Sequence, residues 1–296
     1  MVMRRVVISG SSSYVLAIKL ARELNAPLLE TDIKRFPDGE KYVRIDGDLE
    51  GVEAIVVQSM YLTPDEYLME YFLMVEALKD SGAKKVIGMI PYFAYARQDK
   101  RFNRGEAVSL RTVSRLIETV GTDQLFTVDM HLHRVDDMSK IFNIPAKNLT
   151  AIPDIAHYIR ANLSLKNPLI IGPDEEAGQW AKIAAAQLET DYDVLEKKRI
   201  SSTQVEITTK ELEVKNRDIV IIDDIISTGG TIAKTIEALR KKDANRIVAA
   251  CTHPILVDNA LKKIYMAGAY NVIGTTTIPS PISVIEIAPS LAEALK

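Results

Sequence analysis

The chain has 296 residues, of which 47% are hydrophobic and 26% are charged, and its 37 basic and 40 acidic residues give a net charge of −3. These values are typical of a folded globular protein with enough residues for two domains, each with its own core. A net charge this small excludes a general electrostatic attraction to nucleic acid or to a membrane surface. We therefore expect neither as a partner.

The hydropathy of the chain and its single cysteine indicate the cellular compartment of the protein. No apolar run reaches the ~18 residues that a membrane-spanning helix needs. The apolar stretch after Arg4 and Arg5 ends at Ser9, which is too short for a signal peptide. Cys251 is the only cysteine, so an intramolecular disulfide is excluded, and its apolar neighbours predict that it is buried. A reducing, cytoplasmic location is the expectation.

Apolar runs alternate with amphipathic segments along the first half of the chain. The pattern predicts strands over 6–8, 55–58, 86–90 and 125–128, and helices over 14–24, 66–79 and 109–119. Between the first helix and the second strand, residues 36–40 read F-P-D-G-E, which predicts a turn that opens a hairpin. This alternation is typical of a mainly parallel sheet flanked by helices.

The same order of elements begins again near residue 151. A strand is predicted over 169–172, a helix over 175–188 and a strand over 219–222, while 193–199 takes the place of the F-P-D-G-E turn. Two helices also share their endings, E-A-L-K at 76–79 and E-A-L-R at 237–240. We infer a duplicated α/β domain, with residues 1–150 and 151–296 as its two copies. Two such domains facing each other would have the active site in the cleft between them.

The stretch 220–231, V-I-I-D-D-I-I-S-T-G-G-T, is the one with the clearest chemistry. It predicts a buried strand that ends in Asp223 and Asp224, followed by a glycine-rich turn and a helix. Backbone N–H groups and hydroxyls of such a turn suit a phosphate, and two acids at the end of a strand can reach sugar hydroxyls or Mg²⁺. The stretch indicates a phosphorylated sugar. The alternative is an ordinary strand-helix connection with a Ser or Thr cap.

Two further polar stretches follow predicted strands. Arg97 and Gln98 lie in R-Q-D-K-R, where the arginine offers a fork for phosphate oxygens and the glutamine can contact a base or ribose, although a solvated charged loop is the alternative. Asp129, His131 and His133 alternate at the end of a strand. Alternation predicts that they point the same way, as a metal or nucleotide phosphate would require, or else they form a structural polar strand end.

Together these stretches resemble the ribose-phosphate pyrophosphokinase family, over nearly the whole chain. The stretches that carry the resemblance are F-P-D-G-E at 36–40, 91–100, D-M-H at 129–131, G-P-D at 172–174, K-K-R at 197–199, 223–231 and C-T-H-P at 251–254. The resemblance implies two duplicated domains of phosphoribosyltransferase type. It also implies transfer of the diphosphoryl group of ATP to O1 of ribose 5-phosphate, which yields phosphoribosyl pyrophosphate and AMP. The 223–231 pattern alone is shared with phosphoribosyltransferases generally.

Residue roles follow from the resemblance. It implies that Asp223 and Asp224 bind the ribose hydroxyls, partly through Mg²⁺, and that the turn after them holds the 5-phosphate. The residues of that turn are Ser227, Thr228, Gly229, Gly230 and Thr231. Arg97, Gln98 and His131 are implied as ATP ligands, and Asp129, His131 and Asp174 as metal ligands.

The resemblance also implies an oligomer. In this family Phe36, Asp38 and Glu40 reach the adenine of the ATP bound to a neighbouring subunit, which requires a homodimer or a higher homo-oligomer. Lys197 and Arg199 correspond to residues of the family's mobile catalytic loop, and Arg199 also to a ribose 5-phosphate ligand. Without the resemblance, K-K-R would read as an ordinary basic loop.

The chain departs from many relatives in three places. Ser227 stands where many have an acid, and residues 132–140 and the pair Glu175 and Glu176 differ from bacterial and animal sequences. Together with the short chain, these departures favour the archaeal branch, so the allosteric site for ADP and phosphate is not transferred. Two alternatives are a phosphoribosyltransferase that consumes phosphoribosyl pyrophosphate, which leaves the first domain unexplained, and a regulatory subunit without turnover. Intact Lys197, Arg199, Arg97 and His131 disfavour the second.

Overall fold

The computed structural model describes residues 3–101, 103–132, 137–199, 205–209 and 213–296, and for 196–199 and 205–209 it describes the backbone. Its contacts divide the chain into two compact units. Unit 1 contains the described residues up to Thr150 together with Thr277–Pro279 and Ala288–Lys296. Unit 2 contains Ala151–Thr276 and Ser280–Ile287.

Unit 1 is a seven-stranded sheet in the order β3-β2-β1-β4-β5-β6-β7. Its elements are β1 (Arg5–Ser9), α1 (Tyr14–Glu23), β2 (Leu28–Arg35), β3 (Lys41–Asp46), β4 (Glu53–Val57), α2 (Pro64–Asp80), β5 (Lys85–Met89), α3 (Ser109–Thr119), β6 (Gln124–Val128) and β7 (Ala146–Leu149). All neighbours are parallel except β2 and β3, which form an antiparallel hairpin around the F-P-D-G-E turn. The predicted strands and helices of this half are therefore confirmed to within a few residues.

Unit 2 repeats this architecture. Its elements are α4 (Ile152–Asn162), β8 (Leu169–Gly172), α5 (Gly178–Leu188), β9 (Asp191–Arg199), β10 (Val205–Thr209), β11 (Ile219–Ile226), α6 (Gly230–Arg240), β12 (Ile247–Pro254), α7 (Ala260–Met266), β13 (Asn271–Thr275) and β14 (Ser283–Ile285). The strand order β10-β9-β8-β11-β12-β13-β14 becomes that of unit 1 when seven is subtracted from each number. The shared order confirms the predicted pair of duplicated, mainly parallel domains.

The central strands form the cores because both faces of a parallel sheet are covered by helices. All five residues of β4 are buried. In β11, Ile219 and Ile221 join the core cluster on one face of the sheet, whereas Val220 and Ile222 join the cluster on the other face, which contains Trp180. This alternation is the geometry of a strand, and it explains the continuous β-branched run seen in the sequence.

Two parts of unit 2 differ from the sequence-based expectations. The stretch 193–199 does not take the place of the F-P-D-G-E turn, because β9 extends through Arg199 and pairs with β10 as β2 pairs with β3. In addition, α5 begins at Gly178 rather than at residue 175. Residues 200–204, between β9 and β10, lie outside the described residues.

The last helix, α8 (Ala288–Ala294), packs against α1 and so groups with unit 1. The sequence-based bounds place these residues in the second domain. Leu291 and Ala292 are buried, and the apolar spacing that predicts a buried face does not specify which element covers it.

Candidate active site

The two acids predicted to end the central strand of unit 2 lie within it. β11 continues to Ile226 because it stays paired with β12 as far as Pro254, and Asp223 lies opposite Cys251. Asp223 is half-buried, and Asp224 is 2% exposed. The N–H of Asp224 donates a hydrogen bond to Oδ1 of Asp223 at 3.0 Å. Both acids are therefore fixed to the sheet before the turn begins.

The environment of Asp223 disfavours its negative charge. Burial raises its pKa well above the usual range, and the negative charges of Asp224 and Asp174 raise that pKa further. Asp174 follows β8 and belongs to the same unit, so the structure groups three of the predicted site acids. Such a group is stabilised by a cation or by donors such as sugar hydroxyls.

Cys251, the β12 neighbour of Asp223, is fully buried, as predicted. Burial, and secondarily the charge of Asp223, raises the pKa of its thiol well above the usual value. A thiol in this environment stays protonated at neutral pH, and the thiolate is the nucleophilic form. Cys251 is a packing residue rather than a nucleophile.

The glycine-rich turn has the backbone that a phosphate site needs. Gly229 has a φ of +72°, in the left-handed region. A Cβ there would lie 3.0 Å from the carbonyl oxygen of Ala260, so glycine is required for two reasons. Helix α6 begins at Gly230, and no side chain of the described residues caps it. The N–H groups of its first turn, at the positive end of the helix dipole, are therefore suited to bind an anion.

Hydrogen bonds from α7 and from the residues before it support this turn. Leu256 and Val257 donate backbone hydrogen bonds to the carbonyls of Ile226 and Ser227, at 3.0 and 3.1 Å. From α7, Nζ of Lys263 donates to the carbonyl of Thr228 at 3.3 Å. Sequence reasoning missed Lys263, because a lysine 35 positions from its partner in an amphipathic helix leaves no pattern in the chain.

Asp174 also fixes the start of α5. It is half-buried, and its Oδ1 accepts a hydrogen bond from the N–H of Ala177 at 3.2 Å. The preceding Gly172 approaches the backbone of Ala177, where a Cβ would lie 3.2 Å from the carbonyl carbon. The close approach explains the glycine before this acid.

The donor set fits Mg²⁺ only in part. Within the described ranges, no group of three or more His, Cys, Asp or Glu side chains is arranged to hold a metal. Mg²⁺ usually retains several waters and binds one or two carboxylates together with substrate phosphates. The crowded acids Asp174, Asp223 and Asp224 fit that mode of binding better than a protein cage.

Asp129 and His131 belong to unit 1, and their geometry differs from the prediction. β6 ends at Val128, and Asp129 then adopts a φ of +37°. The strand alternation that was to align Asp129 with His131 therefore does not reach them, and His133 lies outside the described residues. Asp129 is 3% exposed, and its N–H donates to the carbonyl of Leu149 at 2.8 Å. A buried acid in the left-handed region is a costly conformation, which is a common property of functional sites.

The stretch 91–101 is an ordered loop after β5. Tyr95 has a φ of +65°, its hydroxyl contacts Asp65, and its carbonyl accepts a hydrogen bond from Ser109 at 3.1 Å. Arg97 is exposed. Gln98 is half-buried, and its amide donates to the carbonyl of Lys100 at 3.1 Å. The fixed loop presents the guanidinium of Arg97 to solvent.

The F-P-D-G-E turn lies at the tip of the β2–β3 hairpin, with Phe36 47% exposed. The N–H of Phe36 donates to the carbonyl of Glu40 at 2.8 Å, and the carboxylate of Asp38 accepts from the N–H of Glu40 at 3.3 Å. The ring of Phe36 meets Tyr42 edge to face, with centroids 5.9 Å apart. An aromatic ring and two acids are thus presented together on the surface.

Lys197 and Arg199 lie in a strand, not in a loop. Lys197 pairs with Ile207 and Arg199 with Val205 across the antiparallel β9–β10 hairpin. Their side chains lie outside the described part of the chain. Their predicted roles stay predictions.

No helix of the described residues is long and apolar enough to span a membrane.

The fold and the loop at 223–231 define a protein built of two phosphoribosyltransferase-type domains. Family profiles agree: the N-terminal domain of ribose phosphate pyrophosphokinase matches residues 5–121, and the phosphoribosyl transferase domain matches residues 139–279.

Relatives that match nearly the whole chain indicate which family of this class the protein resembles. The chain is 43% identical over 290 residues to a ribose-phosphate pyrophosphokinase of Methanothermobacter thermautotrophicus, covering 98% of this chain and 99% of the relative. It is 40% identical to one of Methanopyrus kandleri, with 98% of each covered. The crystal structure of phosphoribosylpyrophosphate synthetase from Mycobacterium smegmatis matches with a TM-score of 0.88 at 30% identity, covering 99% of this chain and 97% of the other.

The chain belongs to the ribose-phosphate pyrophosphokinase family, as its motifs indicate, and two of its relatives are archaeal. It is an enzyme of the ribose-phosphate diphosphokinase type, a transferase of nucleotide biosynthesis.

Proposed function

We propose that this enzyme transfers the diphosphoryl group of ATP to O1 of ribose 5-phosphate and releases phosphoribosyl pyrophosphate and AMP. The observation that carries the proposal is the end of β11, where two acids fixed to the sheet precede a glycine turn and an uncapped helix. This arrangement suits a molecule with hydroxyls at one end and a phosphate at the other. Ribose 5-phosphate has both.

Ribose 5-phosphate is assigned to unit 2. Its 5-phosphate binds the N–H groups and hydroxyls of Ser227–Thr231, and its ring hydroxyls donate to Asp223 and Asp224. Ser227 carries no charge, so it does not repel the phosphate dianion as an acid would. Fixing both ends of the sugar aligns O1 for in-line attack on the β-phosphorus of ATP.

ATP is assigned to residues of unit 1. The exposed guanidinium of Arg97 binds phosphate oxygens, Gln98 contacts the nucleoside, and His131 binds the triphosphate. The fixed loop around Tyr95 and the costly backbone of Asp129 support this assignment, because both restrict side chains that would otherwise be mobile.

A neighbouring subunit completes adenine recognition in the proposal. Phe36 stacks on the adenine of that subunit's ATP, and Asp38 and Glu40 accept hydrogen bonds from it. The exposure of the whole turn supports the assignment, because an aromatic ring and two acids at a hairpin tip are accessible to another chain. The active form is then a homodimer or a higher homo-oligomer.

Mg²⁺ is the proposed cofactor. In unit 2 the residues that would hold it, together with substrate oxygens, are Asp174, Asp223 and Asp224. In unit 1 they are Asp129 and His131. When bound, Mg²⁺ would neutralise phosphate charge. The crowding of Asp223 supports a cation beside it: burial, and then the charges of Asp224 and Asp174, raise the pKa of Asp223, and a cation would offset that negative charge.

The transfer requires positioning and charge neutralisation more than covalent chemistry. Lys197 and Arg199 are assigned to the charge that develops on the transferred group and on the leaving AMP. Both residues lie in one strand, β9, two positions apart, which is compatible with a shared role.

AMP release tests the proposal. Purified enzyme with Mg²⁺, ATP and ribose 5-phosphate should release AMP, and omission of any one component should abolish the release. No AMP above a heat-inactivated control, at several phosphate concentrations, would contradict the proposal. Release of pyrophosphate from phosphoribosyl pyrophosphate and a nucleobase would instead indicate a phosphoribosyltransferase.

A further inference from the structure

Two basic residues flank the F-P-D-G-E turn, and both are held by one helix. Arg35 is the last residue of β2 and Lys41 the first of β3, and they lie opposite each other in the ladder. Arg35 forms an ion pair with Glu66, and Nζ of Lys41 lies 2.9 Å from Oε2 of Glu70. The two acids are four residues apart, so they lie on the same side of α2.

The Lys41–Glu70 pair is the buried one. The side chain of Glu70 is fully buried and that of Lys41 is 13% exposed. The carboxylate also accepts hydrogen bonds from the N–H and hydroxyl of Ser11, at 2.7 and 2.8 Å, and from the amide of Gln58 at 2.8 Å. Because Ser11 follows β1 and Gln58 follows β4, Glu70 connects the start of β3 to the two central strands. A buried charge with this many donors holds its partner in one position.

The Arg35–Glu66 pair is a weaker contact. Its side chains are 50% and 37% exposed. Exposed ion pairs contribute little to stability, because solvent screens them and both side chains lose entropy. Lys41 is therefore the residue whose loss should move the turn.

The hairpin needs such an attachment. β3 is the edge strand of its sheet and pairs with β2 alone among the described strands. Residues 36–40 are all exposed, and hydrogen bonds within the turn join Phe36 to Glu40, Gly39 to Phe36 and Glu40 to Asp38. The direction of the turn relative to the rest of unit 1 depends on the strand ends that lead into it, and both ends are attached to α2.

We propose that Glu70, through its buried ion pair with Lys41, is a positioning residue for adenine recognition by the Phe36–Glu40 turn. The inference rests on the proposed role of the turn in binding adenine. Glu70 touches no substrate; it fixes the first residue after the turn to β1 and β4. Loss of the pair should weaken ATP binding and leave ribose 5-phosphate binding and turnover at saturation nearly unchanged.

The test uses Lys41→Met, which keeps the length of the side chain and removes its charge. We expect the KM for ATP to rise ~10-fold with kcat and the KM for ribose 5-phosphate within about twofold of the unmodified enzyme. Affinity for an α,β-methylene analogue of ATP, measured by calorimetry, should fall by the same factor. Lys41→Arg, which restores the charge, should recover most of the loss.

Asp32→Asn is the matched control. It breaks the Lys34–Asp32 pair, which lies on the same hairpin, is 57% and 50% exposed, and does not reach α2. It should leave all three constants unchanged. Glu66→Gln should raise the KM for ATP by no more than about threefold, because its pair is exposed.

Phe36→Ala separates the inference from the proposal beneath it. If Phe36→Ala leaves the KM for ATP unchanged, the turn does not bind adenine and both ideas are wrong. If Phe36→Ala raises that KM and Lys41→Met does not, only the inference is wrong. A Lys41→Met protein that fails to fold, or that loses kcat and both affinities together, would contradict it too, because the pair would then support the fold in general.

Discussion

The backbone N–H of Asp224 donates to Oδ1 of Asp223 at 3.0 Å, within β11 and before the Ser227–Thr231 turn begins. The bond fixes two neighbouring acids whose like charges repel each other. Burial together with the charge of Asp224 raises the pKa of Asp223. Function and stability therefore place opposite demands on this pair. In the proposed function, substrate hydroxyls and Mg²⁺ use both carboxylates, whereas the folded protein without ligand would be more stable with one charge fewer.

Asp224→Asn tests this conflict. We expect kcat/KM for ribose 5-phosphate to fall roughly 10²-fold, because the amide loses a charged acceptor for a sugar hydroxyl. The melting temperature should stay the same or rise, because the repulsion with Asp223 is removed. Steady-state kinetics and thermal unfolding measure the two effects. An unchanged kcat/KM would contradict the role of Asp224.

Gly229→Ala tests the shape of the phosphate loop. A φ of +72° costs a non-glycine residue ~1–2 kcal/mol, and the added Cβ would press against the carbonyl of Ala260. The KM for ribose 5-phosphate should rise ~10-fold as the loop shifts. Gly51→Ala is the control: its φ is +67°, nothing lies within 4 Å of the added Cβ, and it is in unit 1. Equal effects of both substitutions on that KM would show that the loop is not the phosphate site.

Asp218→Asn tests the support at the start of β11. Asp218 is fully buried, and its carboxylate accepts hydrogen bonds from Lys166 N–H at 2.7 Å and from the guanidinium of Arg246 at 2.6 Å. Burial alone would raise its pKa, but the bonds from Arg246 and the two backbone N–H groups outweigh burial and lower it. The amide cannot accept all these bonds, so the free energy of unfolding should fall by ~2–3 kcal/mol at pH 7.

The pH dependence has a definite sign. A carboxyl whose folded pKa is lowered contributes stability above its unfolded pKa of ~3.9 and loses that contribution as pH falls through the folded pKa. Urea unfolding should therefore show a difference between Asp218→Asn and the unmodified protein at pH 7 that shrinks below about pH 4. A difference that stays constant down to pH 3 would mean that the carboxylate charge is not the source.

Lys197→Ala tests the assignment of the transition-state charge. We expect kcat to fall roughly 10²-fold or more, with modest changes in the KM values, because the interaction forms with developing charge rather than with bound substrate. Lys198→Ala, one position along the same strand, is the matched control, because it removes the same charge from a residue to which no role is assigned. Near-normal turnover of the Lys197 variant would remove it from this role.

The fold was largely predictable because a parallel sheet with two covered faces leaves continuous apolar strands. The repeated order of elements also predicted the duplication, which the strand orders confirm. The end of β11 was not predictable from its own residues: Asp223 ends the apolar run, yet pairing with β12 carries the strand through Ile226. Pairing with a neighbouring strand of the same sheet overrides local polarity at such ends.

Contacts distant in sequence account for the other misses. Asp129 adopts a left-handed backbone after β6, and a non-glycine residue gives no sign of that in the chain. Glu70 sits among apolar residues of α2, and its partners Ser11 and Lys41 are 59 and 29 residues away. A single sequence predicts the helix there, but it does not indicate that Glu70 is the buried acid of that helix.

The position of the transferred group is the most direct test of the central claim. Phosphorus NMR of a reaction with equal amounts of ATP and ribose 5-phosphate separates AMP from ADP and resolves a diphosphate on C1 of the sugar. We expect AMP and phosphoribosyl pyrophosphate in equal amounts, with the 5-phosphate unchanged and the Asp224→Asn enzyme much slower. Formation of ADP with a sugar bisphosphate, or of AMP with free pyrophosphate and unmodified sugar, would contradict it.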